Sequence, residues 1–145
     1  MAKHVLVAVD GSPASRRAAT YAGDRFPDAT LTLLYVMDPV IDFGRRRALS
    51  GYIRDQEFDT EREKADYVLE SVRETLPDDI AVETEIWAGD PARAIVEFAD
   101  TEDVDHVVVG SHGRRGVARY LLGSVAETVV RRAGVPVTVV RPGEE

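Results

Sequence analysis

From His4 to Val140 the chain alternates short runs of aliphatic and β-branched residues with stretches in which apolar side chains recur every three or four positions. Apolar runs of this kind build buried strands, and the longer period builds helices with one buried face. His4 to Val9 is the first run, and Pro13 to Phe26 follows with Ala18, Ala19, Ala22 and Phe26 on one helical face. Thr30 to Met37 is the second run. Ile53 to Leu76 is the longest helical stretch, with Ala65, Val68, Leu69, Val72 and Leu76 in register and Pro77 to stop it. A third run covers Ile80 to Trp87. Asp90-Pro91 then reads as a helix cap followed by proline in the first turn, with Ala94, Ile95, Phe98 and Ala99 behind it. Val104 to Val109, a helix over Ser124 to Ala133, and a strand over Pro136 to Val140 complete the series. Repeated β-α-β units with apolar strands require a parallel sheet covered by helices on both faces. The expected fold is therefore α/β and doubly wound, and 145 residues suffice for one such domain.

Charge narrows the partners. A net charge of −8 argues against a nucleic-acid partner, because phosphate-backbone affinity comes from clustered cations. No 18-residue apolar run occurs, the start lacks the pattern of a secretory signal, and there is no cysteine for disulfide or thiolate chemistry. A soluble, cytoplasmic protein without membrane or nucleic-acid partners is expected. Among 18 basic residues only Lys3 and Lys64 are lysines, against 26 carboxylates. Such a surface repels itself unless salt screens it, which points to a halophilic source. A GC-rich genome accounts equally for the scarce lysines, but not for the charge.

In a doubly wound sheet, ligands bind beyond the carboxyl ends of the strands, where the strand order reverses. The first strand ends in Asp10-Gly11-Ser12, and the fourth in Gly110, followed by Gly113 and, nine residues later, Gly123-Ser124. Gly110 and Gly113 are expected to bend the chain so that backbone N–H groups face inward. Gly123-Ser124 places further N–H groups and a hydroxyl at a helix start, where the dipole favours an anion. Arg114, Arg115 and Arg119 lie in the gap, placed equally for phosphate or for solvent.

Competing phosphate and hydrolase motifs are missing. There is no Gly-Lys-Ser/Thr, no three-glycine dinucleotide turn after the first strand, and no serine set between spaced glycines. His4 and His106 fall at strand edges, and His112 within the glycine loop is a candidate ligand contact. Asp10 competes with Ser12 for the cap of the helix beginning at Pro13. Ser12 stands nearer, so the Asp10 carboxylate is free to accept from an adenine amino group or a ribose hydroxyl.

Gly110-x2-Gly113-x9-Gly123-Ser124, together with VAVDGSPAS, GDPARAIVEFA and VPVTVVRP, resembles the universal stress protein family in its ATP-binding branch, over nearly the whole chain. The resemblance implies an adenine nucleotide alpha hydrolase-like fold of five parallel strands in the order 3-2-1-4-5 with four helices. It also implies a homodimer joined through the last strand, Val135 to Arg141. ATP, with Mg2+, is the implied ligand. Asp10 would contact adenine, the Val36 backbone would hold its edge, and Gly110, Gly113, Gly123, Ser124 and the Val125 backbone would hold ribose and phosphates. The family supplies no general base, so the expected role is a nucleotide-dependent regulator of stress response with slow hydrolysis at most.

Two other readings compete with it. One is a nucleotide-independent interaction module of the same fold, which the intact glycine spacing disfavours. The other is an adenylyl transferase, whose His-x-Gly-His type of motif is missing after the first strand. The stretch Asp38 to Tyr52 is long for a βα connection and leaves the ligand side of the sheet, as a lid, a partner loop or a plain insertion.

Overall fold

The computed structural model describes residues 2–38, 54–112 and 122–143. The notable loop from Asp38 to Tyr52 lies, except for Asp38, outside the described residues, as do Gly113 and the three arginines after it. The strands are β1 (His4–Ala8), β2 (Thr30–Met37), β3 (Ala81–Ala88), β4 (His106–Gly110) and β5 (Val137–Val140). The helices are α1 (Pro13–Arg25), α2 (Arg54–Glu74), α3 (Pro91–Thr101) and α4 (Ser124–Arg132). All strand pairs are parallel, and the order across the sheet is β3-β2-β1-β4-β5.

The sheet divides the core by side-chain alternation. Val5, Val7, Leu31, Leu33 and Tyr35 point to one face, where Ala18, Ala19 and Ala22 of α1 and Ala65, Val68, Leu69 and Val72 of α2 cover them. Leu6, Leu34, Val107 and Val109 point to the other face, against Ile95, Phe98 and Ala99 of α3 and Ala126 and Val129 of α4. Each fully buried leucine of this set contributes about 1.5–3 kcal/mol relative to exposure. Alanines on α1 let that helix lie close to the sheet, which sets the height of its N-terminus above the end of β1.

Local chemistry fixes the helix starts. Ser12 caps α1 by accepting from the Ser15 N–H at 3.2 Å, and Asp90 caps α3 by accepting from the Arg93 N–H at 3.0 Å, each just before a proline. Most predicted boundaries fall within a residue or two of those observed. β4 begins at His106 rather than Val104 because Asp103 takes a left-handed turn (φ 56°) and Asp105 diverts the start of the ladder. The Asp105 carboxylate accepts from the Lys3 and His4 N–H groups at 2.8 and 2.9 Å, taking donors that would otherwise face the neighbouring strand. These two bonds hold the Asp105 carboxyl below its usual range.

The two edge strands are less covered than their apolar sequences suggest. β3 is mostly exposed, with Val82, Ile86 and Trp87 half-buried, and β5 buries only Val140 fully. Glu83 and Glu85 blunt the β3 edge, whereas the outer edge of β5 carries Val137, Thr138 and Val139.

Candidate functional site at the ends of β1 and β4

β1 feeds α1 on one face of the sheet, and β4 leads to α4 on the other. The chain therefore parts in opposite directions at the ends of two adjacent strands, the point where sheets of this kind hold their ligands. Most of the expected contact residues lie around it.

On the β1 side, Gly11 adopts φ 87°, and this left-handed turn lets the Asp10 side chain fold back on its own backbone. Asp10 Oδ1 accepts from the Ser12 N–H at 2.9 Å, while the Asp10 N–H donates to Ser15 Oγ at 3.2 Å. Ser15 Oγ in turn donates to the Ser12 carbonyl at 3.1 Å. Ser12 is thus the cap, as the sequence implies. Asp10 spends one carboxylate oxygen on holding the turn, so Oδ2 is the one left for a ligand among the described residues.

β2 overhangs β1. The ladder between them ends where the Val9 N–H donates to Leu34 C=O at 2.9 Å, and β2 continues to Met37. Along a parallel strand, the N–H and C=O of alternate residues face the same neighbour. Leu34 faces β1, and Met37 faces β3 by accepting from the Gly89 N–H at 2.9 Å. Val36 therefore directs its N–H and C=O to the β1 side, past the point where β1 has turned away.

On the β4 side, the structure changes the role of Gly110. It lies in the strand, paired with Val140, and does not make the expected bend. Its lack of a side chain is required by α1: a Cβ here would lie 2.8 Å from both the carbonyl carbon and Cβ of Ala14 and 2.9 Å from the Ser15 nitrogen. Gly110 thus lets the first turn of α1 rest on the end of β4.

Ser111, the next residue, is pinned on both sides. Its N–H donates to Val140 C=O at 2.8 Å, and its C=O accepts from the Gly123 N–H at 2.7 Å. The second bond corrects another expectation, because the Gly123 N–H is already satisfied and is not free for phosphate. The first intrahelical bond runs from the Glu127 N–H to Gly123 C=O, and Gly123 supplies no side-chain cap. The N–H groups without helical acceptors are those of Ser124, Val125 and Ala126. Ser124 is exposed and Val125 half-buried. Gly123 has φ −67° and ψ 162°, extended backbone open to any residue.

His112 completes the constellation. Its Nδ1 lies 3.2 Å from Ser111 Oγ, and its carbonyl lies 3.5 Å from Ser12 Oγ across the crevice. Its Nε2 is buried and lacks a hydrogen-bond partner among the described residues. Hydrogen bonds thus join Asp10 to Ser12, Ser12 to His112 and Ser111 to Gly123, with Ser124 and Val125 following Gly123 at the start of α4, while Gly113 lies outside the described residues.

Two further buried hydroxyls, Ser15 and Ser111, organise the site beside the cap Ser12 without being marked by any sequence motif. Their signal is position: small hydroxyl residues at the ends of apolar strands have strand-end amides to serve.

The other histidines lie at the opposite end of the sheet. His4 Nδ1 donates to Glu102 C=O at 3.0 Å and its Nε2 meets Thr32 Oγ1 at 2.8 Å; His106 Nε2 meets Thr138 Oγ1 at 2.7 Å. Burial lowers the His106 pKa. Asp105 and His106, whose pKa values are lowered, thus lie at the opposite end of the strands and belong to the architecture. Among the described residues no cluster of His, Asp or Glu is arranged to hold a metal, and no helix is long and apolar enough to cross a membrane. Open grooves between α3 and α4, and between α2 and β3, lie on the flanks.

The profile of the universal stress protein family matches residues 1–141. The chain belongs to that family. Universal stress protein MJ0531 of Methanocaldococcus jannaschii is 34% identical over 143 residues, covering 96% of this chain and 82% of its own. The solved structure of protein MJ0577 of the same organism superposes with a TM-score of 0.82 at 27% identity, covering 99% and 98% of the two chains. A universal stress protein solved in complex with cAMP has a TM-score of 0.67 at 26% identity, covering 98% of each chain. The fold is the adenine nucleotide alpha hydrolase-like fold of these universal stress proteins.

Proposed function

We propose that this universal stress protein binds ATP in the crevice between β1 and β4, and that occupancy regulates a homodimer built on β5. The observation that carries this reading is the start of α4. Its first-turn N–H groups lack a side-chain cap, and they are anchored beside Asp10, Ser12 and His112 by the 2.7 Å bond from Gly123 to Ser111. A helix start without a side-chain cap fits a phosphate group in both charge and hydrogen-bond demand. A structural neighbour carrying cAMP supports the adenine class.

In this reading Asp10 Oδ2 accepts from the adenine amino group, and the Val36 backbone offers one donor and one acceptor to the adenine edge. The Ser124 and Val125 N–H groups and the Ser124 hydroxyl receive phosphate. Gly110 keeps α1 low enough for the site to form, and Gly113 completes the loop. The role is regulatory, with hydrolysis slow at most, as the family resemblance implies. Mg2+ accompanies the phosphates without a protein cluster of its own, and the protein works in the cytoplasm.

Mass spectrometry of ligand released from gently purified protein, followed by calorimetric titration with ATP, ADP, AMP and adenosine in millimolar Mg2+ and high salt, tests the reading. Recovered adenine nucleotide and saturable binding support it. No binding of any of the four refutes it and favours a nucleotide-independent interaction module.

A further inference from the structure

We infer that the outer edge of β3 docks an extended, lysine- or arginine-rich segment of a partner protein, which adds to the sheet as a further strand and lays basic side chains into the groove between α2 and β3. The inference does not depend on the nucleotide reading.

The edge is long and its backbone is open. β3 spans eight residues, as many as β2, and ends the sheet on that side. Because Met37 C=O accepts from the Gly89 N–H, Gly89 and the alternate residues before it turn their N–H and C=O toward β2. Val82, Thr84, Ile86 and Ala88 therefore turn theirs outward, where no strand meets them among the described residues. Such a row is a template for an added strand.

The groove beside the edge indicates what that strand carries. It has a volume of about 600 Å³. Leu69, buried, and Ile86, half-buried, give it an apolar floor, while the exposed Asp66, Glu70 and Glu85 line its rim. Arg62 is the one cation among its described lining residues. None of these three carboxylates has a hydrogen bond or ion pair among the described residues. A long basic side chain matches this lining, because its methylene stem covers apolar surface while its charged head stays with the carboxylates and water.

The same charges disfavour a second copy of this chain. Pairing β3 with itself would bring the exposed Glu83 and Glu85 against a strand of the same sign, and like charges across neighbouring strands destabilise the pair. The edge thus resists self-association and admits a segment of opposite charge.

An end-capped peptide of alternating lysine and valine, as long as β3, is the probe. In calorimetric titration it should bind saturably, and more weakly as salt is added. Methylating the backbone nitrogens of its two central residues keeps the charge and removes strand hydrogen bonds. A peptide of alternating glutamate and valine keeps the strand and reverses the charge. Both should bind at least about tenfold more weakly, which corresponds to about 1.4 kcal/mol. Thr84→Pro deletes one outward N–H and spares the ladder to β2, a placement that edge strands tolerate, and it should lose about tenfold as well. Glu85→Lys should weaken binding in the same direction through charge.

Amide hydrogen exchange of the wild type gives a readout independent of variant folding: the N–H groups of Val82, Thr84 and Ile86 should exchange quickly in the free protein and slowly with the lysine-valine peptide. The proposal falls if that peptide does not bind, or if its N-methylated form binds as well, which is charge attraction alone. It falls too if those amides are already protected in the free protein, or if Thr84→Pro by itself lowers the oligomeric state in sedimentation, which assigns the edge to a second copy.

Discussion

Replacing Gly110 with alanine tests the claim that this glycine exists for α1. The added Cβ would lie 2.8 Å from Ala14 C and Cβ and 2.9 Å from the Ser15 nitrogen, against about 3.4 Å for the closest ordinary contacts. The obstructing atoms are mostly backbone, so no rotamer change relieves the clash. The first turn of α1 must rise by about 0.6 Å or β4 must sink into a packed core. Overpacking of this kind costs about 1–3 kcal/mol. For a chain of this length each kcal/mol lowers the melting midpoint by about 3 °C, so a drop of about 3–9 °C is expected. Because Ser15 Oγ receives the Asp10 N–H and Ser12 caps the helix, raising α1 also misplaces Asp10, and ATP affinity should fall with stability. Gly134→Ala is the control, since its Cβ would meet nothing nearer than Asp100 Oδ1 at 3.8 Å. Calorimetric melting of the two variants beside the wild type decides the matter. A Gly110→Ala protein that melts within a degree of the control would refute the close-approach argument.

Further expectations concern ligand, interface, salt and pH. Gly123 has an extended backbone that valine tolerates, so Gly123→Val should weaken ATP binding more than about tenfold through its bulk, with Ser124→Ala losing less; a Gly123→Val protein that binds ATP normally would sink the phosphate site. Val139→Lys places a charge on the half-buried β5 edge and should give monomers or insoluble protein in sedimentation, whereas an unchanged dimer would exclude that edge as the interface. With a net charge of −8, the melting midpoint should rise from dilute buffer to molar salt, and indifference to salt would remove the basis for a halophilic origin. Burial lowers the His106 pKa, so below about pH 6.5 the unfolded chain takes up a proton that the native state resists. Stability should then fall as pH drops from 7.5 to 5.5, and His106→Gln should flatten that slope in urea titrations; an unaltered slope would contradict the assignment. Asp105, with its pKa also lowered, acts further down: its contribution is present above about pH 3.9 and is lost as pH falls below that.

The sequence made the central strands and helix faces legible because they are governed by burial alone. Thr30–Met37 is read to the residue, and Ala18, Ala19 and Ala22 lie on the sheet as their spacing requires. The start of β4 was less visible, because Asp105 competes for strand amides through a side chain whose target is about a hundred residues away. At the candidate site, Ser12 as cap and the helix start at Ser124 follow from local rules. The purpose of Gly110 does not, since the crowding comes from Ala14 and Ser15 on another element. Likewise, nothing in the local pattern of Gly123 announces that its N–H is taken by the Ser111 carbonyl.

That contact has a mechanical consequence. Ser111 ties the last residue of β5 through its N–H and the residue preceding α4 through its C=O, at 2.8 and 2.7 Å. The two elements are therefore yoked through a single residue, as two gears share an axle. A tilt of the first turn of α4 large enough to loosen one bond must rotate Ser111 and strain the other, so the helix start and the outer strand of the sheet cannot drift apart independently.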